Sequence, residues 1–172
     1  MKGTMLKCME EVVTRKFGAT KWKESLEKAG IPDSRTFTVL GDVDEAEFKQ
    51  IMKSVAGVAS LSLEQVMEAF GEYWSTVYAP KVYRAYFSDS NSVRELLLNL
   101  DHIHDVMTKS MQSARPPRFR YEWEGADLLI MHYESNRGLV ALMPGLIRGL
   151  GKYYNEKLTV RVVGNAVHVK FG

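Results

Sequence analysis

Residues 127–137 read DLLIMHYESNR, and Gly125 and Gly138 bracket them. The first half of this stretch is apolar, and such a run between glycines predicts a β-strand. Side chains alternate along a strand, so one face is expected to carry Leu129, Met131, Tyr133, Ser135 and Arg137. This face suits a flat apolar ligand with carboxylates at one edge, because arginine and hydroxyl groups donate hydrogen bonds to carboxylates. A strand end that simply reaches solvent is the alternative.

Upstream of this strand, a predicted helix carries a histidine on its apolar stripe. Apolar residues recur there at steps of three and four, and the stripe consists of Leu97, Leu100, His104, Met107 and Met111. A neutral imidazole in apolar surroundings keeps its lone pair available and is a good ligand for haem iron. The alternative is a core histidine bonded to a carbonyl. Haem has the shape that the strand face would accept, so the two features together predict a haem site.

The two motifs together resemble the haem nitric oxide/oxygen binding (H-NOX) domains, a family related to the haem domain of soluble guanylate cyclase. The resemblance covers essentially the whole chain. Its motifs are MKGTM at residues 1–5, FGEYW at 70–74, NLDHIH at 99–104, RPP at 115–117 and YESNR at 133–137, which matches the family's Tyr-x-Ser-x-Arg signature. By this resemblance His104 is the axial ligand of the iron of haem b. It likewise implies that Tyr133, Ser135 and Arg137 bind the haem propionates and that Pro117 distorts the haem.

The resemblance also bears on which gas is bound. Oxygen-binding members carry a tyrosine five residues after the signature arginine, where this chain has Leu142. Bound oxygen gains from a hydrogen-bond donor, whereas nitric oxide and carbon monoxide bind ferrous haem well in an apolar pocket. Leu146, Met5 and Trp74 are expected to complete an apolar distal wall, although each could be an ordinary core residue. We therefore expect a sensor of nitric oxide and carbon monoxide that excludes stable oxygen binding.

The family implies a sensory domain without catalytic activity of its own. Nitric oxide weakens the bond to His104, and release of that histidine shifts its helix and biases a partner. The expected partners are a histidine kinase, a cyclic di-GMP enzyme or a fused chemotaxis receptor. Two other interpretations stay open. One is a haem-dependent enzyme or carrier, although the expected distal wall offers no acid–base groups; the other is a cofactor-free protein-interaction domain in which His104 is structural.

Length and composition favour one cytoplasmic domain. The chain has 172 residues and 45% hydrophobic content, enough for a core that encloses a cofactor, so residues 1–172 are expected to form a single domain. Its 23 basic and 21 acidic residues nearly balance, which gives no electrostatic footprint for nucleic acid. A single cysteine, Cys8, rules out an intramolecular disulfide framework. The start of the chain lacks the apolar region of a signal peptide, and residues 139–147 are too short to span a bilayer, so no membrane insertion is expected.

Apolar periodicity, glycines and prolines predict helices first and an antiparallel sheet late, an α+β fold with the haem between the helix of His104 and the sheet. Helices are expected at about residues 2–17, 21–29, 44–59, 62–78 with a break at Pro80, from Ser90 or Asn91 to about Ser113, and at 139–154. Strands are expected at 119–123, 128–134, 157–163 and 166–171, the last two joined at Gly164-Asn165. The helix at 139–154 is rich in glycine, which indicates either a cofactor wall or close packing of helix on sheet.

Overall fold

The computed structural model describes all 172 residues, which divide into two compact units, Met1–Phe70 and Gly71–Gly172. The first unit is helical and contains α1 (Thr4–Phe17), α2 (Ala19–Lys28), α3 (Glu45–Ala59) and most of α4 (Leu63–Tyr73). The side chain of Asp44 begins α3, because its Oδ1 accepts a hydrogen bond from the amide of Ala46 at 2.6 Å. The core of this unit is apolar, and its fully buried members include Leu6, Cys8, Met9, Leu26, Phe48, Ile51 and Phe70.

The second unit opens with a helical path that is longer than predicted. After α4 come a π-helical segment (Trp74–Tyr78), α5 (Ala79–Val82) and α6 (Arg84–Ser88). The break expected at Pro80 is wrong. The helical path continues through Pro80, which follows directly after the π-helical segment, where the amide of Ala79 donates to the carbonyl of Trp74 five residues earlier.

The helix of His104, α7, runs from Val93 to Ser110 and is capped at its start by side chains. The cap is Ser92, whose Oγ accepts from the amide of Glu95 at 3.1 Å, and not Ser90 or Asn91 as predicted. A second side chain reaches the same helix start from elsewhere in the unit. Oε1 of Glu156 accepts from the amide of Val93 at 3.0 Å, which places a carboxylate at the positive end of the helix dipole.

Four strands form an antiparallel sheet in the order β1-β2-β4-β3, namely β1 (Arg118–Glu124), β2 (Leu128–Glu134), β3 (Leu158–Val163) and β4 (Ala166–Phe171). Alternate residues of the central strand β2 are buried, with Leu129 and Met131 at 0% and Tyr133 at 2% exposure. They share one core with Leu97 and Ile103 of α7 and with residues of α8. Helices followed by an antiparallel sheet confirm the predicted α+β class.

The glycine-rich helix α8 (Met143–Tyr154) follows a short 3₁₀ turn at Val140–Leu142. Two of its glycines pack against the end of α4. A Cβ on Gly71 would lie 2.4 Å from the carbonyl carbon of Gly145, and a Cβ on Gly149 would lie 2.9 Å from the carbonyl oxygen of Gly71. The close packing is therefore mainly helix on helix. Helix-on-sheet packing accounts only for Gly151, where a Cβ would lie 3.0 Å from the Leu158 side chain of β3.

None of the helices combines the length and the apolar character that crossing a membrane requires.

Candidate functional site

The ring of His104 is held in one tautomer by a backbone group. Its Nδ1 lies 2.7 Å from the carbonyl oxygen of Pro117, and because a carbonyl can only accept, Nδ1 donates and Nε2 keeps its lone pair. The ring is half-buried, and desolvation lowers the pKa of His104 to about 4, against the opposing effects of the Pro117 bond and the Asp101 charge. At pH 7 the imidazole is therefore neutral. A core histidine was also expected to bond to a carbonyl. The haem-ligand and the core-histidine interpretations of His104 therefore differ only in what Nε2 binds.

Phe119 connects His104 with the signature tyrosine. Its ring centroid lies 5.8 Å from that of His104 and 5.9 Å from that of Tyr133. Tyr133 is buried, and its backbone is fixed from both sides by Asn165, whose carbonyl accepts from the Tyr133 amide at 2.9 Å and whose side chain donates to the Tyr133 carbonyl. Sequence analysis missed Phe119 as a site residue, and the alternation of the predicted strand 119–123 was its only signal.

The other two signature residues do not continue the strand. β2 ends at Glu134, so Ser135 and Arg137 lie in a turn in which the Arg137 amide donates to Oγ of Ser135 at 3.3 Å. The prediction that all five alternate residues share a strand face is therefore wrong for its last two members. A serine hydroxyl that accepts an amide two residues later favours a turn over a strand ladder. The positive charge of Arg137 contributes to the lowered pKa of His104, so the guanidinium lies within electrostatic range of the ring.

A carboxylate one turn before His104 ties α7 to β1, and sequence analysis did not single it out. Asp101 Oδ1 accepts from the amide of Phe119 at 2.7 Å and from Nε of Arg118 at 2.8 Å, while Oδ2 accepts from Nη2 of Arg118 at 2.6 Å. These bonds, with that of Arg118 first among the causes, hold the pKa of Asp101 below its ordinary value. Its position three residues before His104, on the same side of the helix, was a signal in the sequence.

The residues expected in the distal wall fall in both units. Leu142 is 2% exposed in the 3₁₀ turn before α8, and Leu146 is half-buried in α8. Trp74 is half-buried in the π-helical segment and stacks on Tyr78 with ring centroids 5.5 Å apart. Within the second unit the segments of Trp74 and Leu146 are joined, because Oγ of Ser75 donates to the Leu146 carbonyl at 2.7 Å. Met5 is half-buried in α1 of the first unit.

A family model described as Haem-NO-binding matches residues 2–162. The soluble guanylate cyclase gcy-37 of Caenorhabditis elegans is 30% identical over 147 residues, which cover 82% of this chain and 20% of that protein. A second cyclase of the same organism, gcy-34, is 25% identical over 181 residues, which cover 100% of this chain and 26% of that protein. The chain therefore spans only a minor part of the curated relatives that it matches.

Solved structures share the fold over nearly the whole chain. A Cs H-NOX mutant with the unnatural amino acid 4-cyano-L-phenylalanine has a TM-score of 0.87 at 25% identity, over 99% of this chain and 96% of that one. An H-NOX protein from S. oneidensis in the Fe(II)NO ligation state has a TM-score of 0.89 at 19% identity, over 100% of this chain and 99% of that one, a likeness of fold alone. On the family match over residues 2–162, the chain belongs to the Haem-NO-binding family, the H-NOX domains, which are haem-binding sensory domains rather than catalytic ones.

Proposed function

We propose that this domain is a sensor of nitric oxide and carbon monoxide that excludes stable oxygen binding and signals through release of His104. The main support is the 2.7 Å bond between Nδ1 of His104 and the carbonyl of Pro117, which leaves the lone pair of Nε2 available for a metal. Haem b, when bound, supplies a ferrous iron that takes a diatomic gas. We further propose that residues 1–172 form one sensor domain.

The residues of the second unit fit haem in their chemistry. His104 offers a neutral nitrogen ligand, and Tyr133, Ser135 and Arg137 offer two hydroxyls and a guanidinium to the propionates. Pro117 is proposed to distort the macrocycle. Its carbonyl is bonded to the histidine, so a shift of Pro117 and a shift of the His104 ring are coupled.

The exclusion of oxygen rests on Leu142. Its buried aliphatic side chain has no proton to donate, whereas a donor to a partly negative oxygen is worth about 1.5–3 kcal/mol, or about 10- to 100-fold in affinity. Nitric oxide and carbon monoxide depend less on such a donor.

Signalling is proposed to pass through α7. The helix is bonded to β1 through Asp101 and, through His104, to the carbonyl of Pro117 just before β1, so both contacts would stay in place if the histidine left the iron. A histidine kinase, a cyclic di-GMP enzyme or a fused chemotaxis receptor is the proposed recipient of the signal.

The test is the visible absorption spectrum of the reduced protein under argon, then with nitric oxide, with carbon monoxide and in air. A haem band that responds to the first two gases but forms no stable oxygen spectrum supports the proposal. A stable oxygen spectrum overturns the choice of gas. The lack of any haem band after reconstitution overturns the proposal as a whole and favours the cofactor-free interaction domain.

Replacement of the histidine identifies the iron ligand. His104→Gly is expected to lose the spectrum of the native protein and to regain it with added imidazole, which takes the place of the deleted side chain. His102→Gly is the matched control, because His102 lies on the same helix but is exposed. Equal spectra for both variants and the native protein would contradict the assignment of His104.

A further inference from the structure

The hydroxyl of Tyr121, on β1, joins two backbone groups of α7 that ordinarily bond to each other. It donates to the carbonyl of Leu97 at 2.7 Å and accepts from the amide of Asp101 at 3.1 Å. In a regular α-helix the amide of residue 101 donates to the carbonyl of residue 97. The phenol therefore bonds to both of these backbone groups, in the turn that precedes His104.

The Tyr121 hydroxyl keeps both of these hydrogen bonds near neutral pH. Tyr121 is half-buried, and its ring stacks on Phe119 with centroids 6.5 Å apart. Burial raises the pKa of Tyr121 to about 12, so the hydroxyl keeps its proton near neutral pH and serves both backbone groups.

The same turn is held to β1 by a second side chain. The carboxylate of Asp101 accepts from the amide of Phe119 at 2.7 Å, and Phe119 in turn contacts the ring of His104. The Tyr121 hydroxyl and the Asp101 carboxylate thus both join the turn 97–101 of α7 to β1.

We propose that Tyr121 is a positioning residue for His104: by competing for the Leu97 carbonyl and the Asp101 amide, its hydroxyl weakens the direct bond between them and sets where α7 presents Nε2. A side chain inserted into the ladder bends a helix locally. Without the hydroxyl, the Asp101 amide bonds directly to the Leu97 carbonyl, so the turn becomes regular and the segment that follows it shifts. The inference rests on the proposed function, because it concerns the bond from His104 to haem iron.

The first arm of the test needs no cofactor. Tyr121→Phe leaves no backbone group unsatisfied, so it is expected to fold. In the full chain labelled with ¹⁵N and ¹³C, the scalar coupling across the hydrogen bond from Asp101 N to Leu97 C′ is expected to be weaker than at neighbouring helical pairs. In Tyr121→Phe it is expected to rise to their value. The control Tyr154→Phe, which removes a phenol that donates to the carbonyl of Phe87 at 3.3 Å, is expected to leave it unchanged.

The second arm is the iron–histidine stretching frequency of the haem-loaded ferrous protein, measured by resonance Raman spectroscopy. Tyr121→Phe is expected to shift this band, Tyr154→Phe to leave it in place, and Tyr121→3-fluorotyrosine, which keeps a hydroxyl, to restore it. A native band in Tyr121→Phe overturns the inference alone, even if the coupling changes. An unchanged coupling overturns it as well. Failure of the native chain to take up haem overturns the proposed function and this inference with it.

Discussion

Gly71→Ala is expected to destabilise the second unit. The same change at Gly57, in the first unit, is not expected to destabilise the protein. A Cβ on Gly71 would lie 2.4 Å from both the carbonyl carbon of Gly145 and the amide nitrogen of Leu146, and ordinary contact begins at 3.4 Å. Because these are backbone atoms of a packed helix, α8 would have to move away by about 1 Å. The 2.7 Å bond from Oγ of Ser75 to the Leu146 carbonyl would then exceed hydrogen-bond range.

The two losses set the size of the effect. Overpacking costs about 1–3 kcal/mol. The buried hydroxyl of Ser75, left without its acceptor, costs about 1–3 kcal/mol more. Alanine regains about 1 kcal/mol relative to glycine inside a helix. The expected net loss is about 1–5 kcal/mol in the free energy of unfolding, which corresponds to a fall of about 2–20 °C in Tm for a protein of this size.

Gly57→Ala is the control for helix propensity. A Cβ there would meet Nζ of Lys28 at 2.5 Å, but that atom is the end of a flexible side chain and can move aside. The expected effect is between none and a gain of about 1 kcal/mol. Thermal unfolding of both variants and the native chain, followed by circular dichroism in one buffer, gives the comparison. A Gly71→Ala protein as stable as the native chain would refute the packing argument.

Three further predictions concern the gas, acid stability and the thiol. Leu142→Tyr introduces a hydroxyl donor at a buried position that has none in the native protein. The variant is expected to give a longer-lived oxygen spectrum in air than the native protein. An oxygen spectrum that decays at the native rate would argue against Leu142 as the residue that excludes oxygen. Asp101 has a pKa lowered in the folded state, so its stabilising contribution is present above the unfolded pKa and is lost as pH falls through the folded one. Asp101→Asn should therefore flatten the acid limb of the stability curve, and an unchanged limb in urea titrations from pH 7 to pH 2 would contradict this. Cys8 is 0% exposed and burial raises the pKa of its thiol, so it should resist iodoacetamide at pH 8 until the chain unfolds; rapid labelling of the native protein would show that α1 opens.

The elements best predicted from sequence are those with local turn chemistry. The bounds of β2 and β4 are confirmed, and the turns beside them hold Gly125 at φ +69° and Gly164 at φ +60°. Glycine adopts such angles more readily than any other residue, so these residues mark the turns in the sequence itself. The start of α7 was harder to predict, because Ser90, Asn91 and Ser92 have similar capping chemistry. The choice among them depends on which helix residues pack into the core.

Within the candidate site, sequence analysis placed His104 on the correct helix but could not identify its neighbours. The carbonyl of Pro117 and the ring of Phe119 reach it only because β1 lies beside α7, and no local pattern encodes that pairing. The two bonds of the Tyr121 hydroxyl to α7 likewise need two elements in contact. That Ser135 and Arg137 leave the strand face was missed for a different reason, since the period of two in the sequence continues past Glu134, where β2 ends.

The position of β4 has a consequence for synthesis of the chain. Although last in sequence order, β4 lies inside the sheet, between β2 and β3. A ribosome therefore delivers the β1–β2 hairpin with one edge of β2 open, and then β3 with no neighbour to pair with. Open strand edges template pairing between chains, so nascent second units on a crowded polysome are most prone to misassembly until the six residues of β4 have emerged. Premature termination after β3 would leave that state permanent.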